Sequence, residues 1–176
     1  MKGGPANDLC EAIPGGAAAA PWEAELERAL DLAQGEALSA TGGTDNLVLP
    51  LGEAGELVLR GATIDGVGVR AGSLRWSPAA PPMAPLRERA DSLARYLAAP
   101  LGGPLTPIEV DAQLGQATLR TPLPALRRGR FWHIELEPDG SVAIERYRVV
   151  AGERQRESMT LTREQLRDTV EGLLDA

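Results

Sequence analysis

His133 is the only histidine in the chain, and it lies close in sequence to Glu135, Glu145, Tyr147 and Arg148. An imidazole flanked by carboxylates can move protons or hold a phosphate near neutral pH. These five residues are the ligand-binding candidates. Against a catalytic role, no activated nucleophile, second histidine or metal-type spacing accompanies them. The simpler expectation is a histidine in a cross-strand charge pair, a contact of about 0.2–1 kcal/mol. No catalytic residue, metal ligand or cofactor is assigned from the sequence.

Arg127, Arg128 and Arg130 are the partner-binding candidates. With Arg148, Arg154 and Arg156 they suit a phosphate, a carboxylate or an acidic segment of another protein. The competing expectation is a charged sheet edge, which discourages strand pairing. Glu109 and Asp111, two apart on one strand, could act as paired carboxylates. A solvated strand face accounts for them without chemistry.

The elements that must hold these side chains centre on residues 130–150. Glu137-Pro138-Asp139-Gly140 is a turn by composition: Pro fixes φ, Asp bonds its own backbone and Gly takes positive φ. Closing the hairpin there puts Leu136 opposite Val142, Ile134 opposite Ile144 and Trp132 opposite Arg146. That side is apolar and faces the core. The alternate side pairs Glu135 with Ala143, His133 with Glu145 and Phe131 with Tyr147. His133 is therefore expected on the wetter face, and Arg146 over Trp132 as a cation–π contact.

The flanking segments read in order. Residues 1–20 suit a mobile Gly/Pro/Ala-rich tail holding Cys10. Residues 21–33 form an amphipathic helix that Gly35 can end, or that continues over 36–40. Residues 46–51 and 56–60 make a hairpin with Leu51 opposite Leu57 and Leu49 opposite Leu59. Pro50 marks an edge strand. Ile64-Asp65-Gly66-Val67 is a turn, and 67–76 a single strand weakened by Gly68 and Gly72. The four prolines of 77–85 make a crossover.

Residues 86–99 are a second helix with Leu86, Ala90, Leu93 and Leu97 on one stripe, widened by Ala94 and Tyr96. Residues 107–111 and 116–121 pair with Val110 facing Ala117 and Ile108 facing Leu119. Residues 157–161 add a short strand. Thr162 and Gln165 then form a capping box, stapled by Leu161 and Leu166, for a last helix.

The expected fold is α+β: a mostly antiparallel, twisted sheet of about six to eight strands with three helices chiefly on one face, in one domain over 21–176. The 176 residues carry a net charge of −7, and aromatics are only 3%. The first eighty residues hold five Lys or Arg against eleven Asp or Glu. Such acidity argues against nucleic-acid binding. A lone cysteine excludes an internal disulfide. No apolar run suits a membrane span or a secretory signal, so a cytoplasmic setting is expected.

The order helix, three strands, helix, several strands, helix over residues 21–176 resembles the chaperones of type III secretion systems. That resemblance implies a small, acidic, dimeric α+β protein that binds unfolded polypeptide segments. No residue motif is shared, so it carries no site residues. The chain also departs from the pattern in having four or five strands after the second helix. Separately, LRERADSLARYL, RYRVV and LTREQLRDTVEGLL look like a bacterial family of uncharacterised proteins, which implies no activity. The expected function is non-catalytic binding of a polypeptide partner, with a homodimer as the natural form. The alternative is a small-ligand protein or enzyme with a pocket at His133.

Overall fold

A computed structural model describes residues 20–39, 46–122 and 129–176. The expectations for the N-terminal tail with Cys10, and for Arg127 and Arg128, lie outside the described residues. The protein is α+β. The described residues hold three α-helices, an eight-stranded antiparallel sheet and a small three-stranded one.

Helix α1 (Pro21–Ser39) buries Leu26 and Leu30 and runs on through Gly35. A mid-helix glycine costs only about 1 kcal/mol, too little to stop a helix whose next residues favour it. Strands β1 (Asn46–Pro50) and β2 (Glu56–Arg60) enclose a 3-10 turn at Gly52–Ala54. Their register differs from the expected one by two residues: Leu49 faces Leu57, Leu47 faces Leu59, and Leu51 bonds to Gly55 instead. A shift of two preserves the leucine face. β1 is an edge strand, as Pro50 requires.

The expected strand over 67–76 is two strands in two sheets. Strand β3 (Thr63–Ile64) pairs with β4 (Gly68–Ala71), and after Gly72 the chain enters β5 (Ser73–Ser77) beside β2. Asp65 closes the turn between β3 and β4 by accepting from the Val67 and Gly68 amides, both at 2.9 Å. Those two N–H groups hold its carboxyl below the ordinary aspartate range.

Helix α2 (Leu86–Tyr96) ends one turn earlier than expected, and Tyr96 faces solvent rather than the stripe. Strands β6 (Thr106–Asp111) and β7 (Gln116–Arg120) match at Val110 and Ala117. A bulge then lets Pro107 face Leu119 and throws Ile108 outward, 52% exposed. Strands β8 (Arg130–Leu136) and β9 (Val142–Val150) have the expected register at every pair.

The last strand is also divided. Strand β10 (Glu153–Glu157) pairs with β9, and after Ser158 strand β11 (Met159–Thr162) pairs with β4. One edge of β9 is thus shared: residues 142–145 pair with β5 and residues 146–150 with β10. The chain changes sheets at Gly72 and again at Ser158. Gly68 is needed at this crossing because a Cβ there would collide with the Leu161 carbonyl.

Helix α3 (Arg163–Leu174) starts at the capping box, with Thr162 and Gln165 each bonding the other's backbone amide. It crosses α2 at Gly172, where a Cβ would come within 3.1 Å of Leu97. Arg163 ties α3 back to Glu27, Asp31 and Gln34 of α1. Leu57, Leu74, Ile134, Ile144, Leu119, Leu93 and Leu166 belong to one buried cluster. The helices therefore cover one face of the large sheet. The other face stays open, with Val48 and the Glu135 and Arg156 side chains about half exposed.

Candidate functional site

Two rows of side chains cross the open face. Strand pairing aligns Thr106, Arg120, His133, Glu145 and Ser73 in one row, and Phe131, Tyr147 and Arg156 in the next. Alternation puts Ile134, Trp132 and Ile144 on the core side, so their neighbours must project outward. The sequence thus brings His133, Glu135, Glu145 and Tyr147 together as expected.

Arg148 does not join them. It shares the side of Arg146, because an even number of residues separates it from Ile144 on β9. Arg130 is likewise on the core side and already engaged. Its Nε donates to Glu157 at 3.1 Å, and Arg146 lies 3.7 Å from the same carboxylate.

His133 is more covered than a wet strand face suggests, with its side chain 16% exposed. Its Nε2 lies 3.0 Å from Glu135 Oε1, and Tyr147 meets the ring edge-on with centroids 5.8 Å apart. Nδ1 is buried without a hydrogen-bond partner. A neutral ring with its hydrogen on Nε2 leaves only a bare lone pair there. The expected cross-strand pairing with Glu145 is replaced, because Glu145 accepts from Tyr147 at 2.6 Å and pairs with Arg156 at 2.5 Å. The Glu145 carboxylate raises the Tyr147 pKa above the usual phenol value, with burial adding to it. Tyr147 is thus a donor and not a base.

The aromatic pair beside them is organised differently. Phe131 stacks on Tyr147 with centroids 5.5 Å apart and planes 15° from parallel. The guanidiniums of Arg120 and Arg154 lie 5.4 and 5.9 Å from the Phe131 centroid. Phe131 is consequently only 5% exposed on an open face. Burial lowers the Arg120 pKa, and repulsion from Arg154 lowers it further. Among the described residues, neither arginine has a carboxylate partner, and Arg120 Nε is buried without any. Arg120 was legible as a neighbour of His133 once β7 and β8 were placed side by side, but no local motif marks it.

The two guanidiniums that cover the ring can together take an anion. Among the described residues, no three His, Cys, Asp or Glu side chains come together to hold a metal ion. No described helix is long and apolar enough to cross a membrane. No family model matches the chain, and no curated protein or solved structure matches it.

Proposed function

We propose that this chain is a non-catalytic binding protein that takes an acidic segment of a polypeptide partner on the open face of its sheet. The observation that carries this reading is the pair Arg120 and Arg154, held over Phe131 with no carboxylate partner among the described residues. Two like charges held close together gain when a carboxylate arrives between them. The half-buried Tyr147 ring beside them offers apolar contact. The end strands of the large sheet's main path are poor alternatives: Pro50 blunts β1, and Pro107 with its bulge blunts β6.

A chaperone-like homodimer in a cytoplasmic setting goes with this reading, supported by acidity, size and element order. A fluorescent peptide rich in Asp and Glu, with two leucines, tests the binding. Its anisotropy should rise with protein and fall with added salt. Charge reversal, Arg120→Glu with Arg154→Glu, should abolish the rise; equal binding by that folded variant overturns the proposal. Sedimentation at several concentrations tests the dimer, which a strictly monomeric species refutes.

The buried Nδ1 of His133, unpartnered among the described residues, favours a second reading, a small cation or hydrogen-bond donor at His133, Glu135, Glu145 and Tyr147. Methylammonium titrated against the single imidazole NMR signal decides it. A saturable shift lost in Tyr147→Phe supports it, and no shift removes it.

A further inference from the structure

Away from this face, a buried arginine also lacks a counter-ion among the described residues, and it lines a cleft. Arg89 on α2 is 5% exposed. One of its five N–H groups is accounted for, donating from Nη2 to the Gly140 carbonyl at 3.0 Å. Its Nε is buried with no partner, and no carboxylate pairs with it among the described residues. Burial lowers its pKa, but an arginine remains charged at any ordinary pH. Burying a cation without an anion is costly, and an anion in the cleft would offset that cost.

The space beside it has walls from separate parts of the chain. Trp76, the prolines Pro78 and Pro82, and Leu173 with Leu174 surround a cleft of about 240 Å³. That volume equals about eight waters at ~30 Å³ each, room for a compact ligand of similar atom count. The walls are fixed. The Trp76 indole donates to the Ala54 carbonyl at 3.1 Å. Pro82 and Pro78 sit against Gly140, where a Cβ would strike the Pro82 ring. Glu53, exposed in the same lining, repels a second negative charge.

We propose that this cleft binds a small monocarboxylate with an apolar body, its carboxylate taken by the Arg89 guanidinium and its body by Trp76, Leu173 and Leu174. A fork of N–H donors matches a carboxylate in geometry and charge. The single guanidinium and the nearby Glu53 disfavour doubly charged ligands such as dicarboxylates and phosphate esters. This site is independent of the open face and of any polypeptide partner there.

Benzoate is the probe, with benzamide as its uncharged match in shape. In a two-dimensional NMR titration of the full chain, the Trp76 indole signal should shift saturably with benzoate at about millimolar concentration. Benzamide should bind at least about tenfold more weakly. Arg89→Gln should lose benzoate binding, and Ala80→Leu, which adds bulk to the cleft lining and leaves Arg89 in place, should weaken it too. Equal binding of benzamide and benzoate overturns the proposal, as does benzoate binding unchanged in Ala80→Leu. Should Arg89→Gln fail to fold, the benzamide comparison and Ala80→Leu still decide. Absence of any saturable Trp76 shift up to about 10 mM benzoate also refutes it.

Discussion

The two faces of the β8–β9 hairpin use the same contact for different ends. On the core side, Arg146 lies over the Trp132 ring at 5.3 Å. Glu157 stands by to balance it and Arg130, at 3.7 and 2.9 Å. On the open side, Arg120 and Arg154 lie over Phe131, and no described carboxylate balances them. The first cluster is complete and holds the fold. Among the described residues, the second is left with an excess of positive charge that a bound acidic group would neutralise. An arginine over an aromatic ring is thus not itself a sign of function; two guanidiniums crowded onto one buried ring with no described carboxylate beside them are the stronger sign.

The sharpest way to break this comparison is to remove each ring. Trp132 is 9% exposed, and its indole donates to the Leu101 carbonyl at 2.7 Å. Trp132→Ala should cost about 3–5 kcal/mol in urea unfolding, since it leaves a cavity and an orphaned carbonyl. Phe131→Ala should cost about 2 kcal/mol, because its neighbours on the open side are mobile arginine tips that can close over the gap. Equal losses would mean that the open face is packed like the core, and the contrast would fail.

Removing one charge from each cluster comes next in size. Glu157→Gln takes the shared anion from Arg130 and Arg146 and should destabilise by about 1–2 kcal/mol. Arg120→Gln should change stability by less than about 0.5 kcal/mol, and in the stabilising direction, because it removes a part-buried charge and its repulsion with Arg154. A substantial loss on Arg120→Gln would show a structural duty for it and would weaken the binding surface proposed here.

How much of this was legible follows from where the constraints come from. The β8–β9 register needed only the Glu137–Gly140 turn and period-two alternation, and every pair agrees. In β1–β2 the same reasoning slipped by two. There the loop is set by Gly55, whose φ is 107° and whose missing Cβ admits the Ser77 carbonyl. That contact is distant in sequence. The sheet changes at Gly72 and Ser158 depend on each other, since β5 and β10 share one edge of β9, and neither segment signals the other. At the site, alternation found His133, Glu135, Glu145 and Tyr147. It should also have placed Arg148 on the opposite side. Arg89 carried a faint signal: it lies three residues after Leu86 and four before Leu93, on the apolar side of α2.

The smallest expected effect concerns pH and separates the polar half of the open face from its cationic half. Tyr147 donates to Glu145, and its raised pKa means that folding favours the protonated phenol. The stabilisation is fully present below the unfolded value of about 10 and is lost as pH rises through the higher folded value. At pH 8, Tyr147→Phe should cost about 1 kcal/mol, the loss of one part-buried hydrogen bond to a carboxylate. Near pH 11 the two proteins should converge, because the wild type must then either hold a proton or place a phenolate beside Glu145. Urea unfolding at the two pH values measures both differences. If the gap is the same at pH 8 and pH 11, Tyr147 acts through its ring stacked on Phe131 and not through its hydroxyl. The open face would then be organised by aromatic packing alone, with Glu145 held by Arg156.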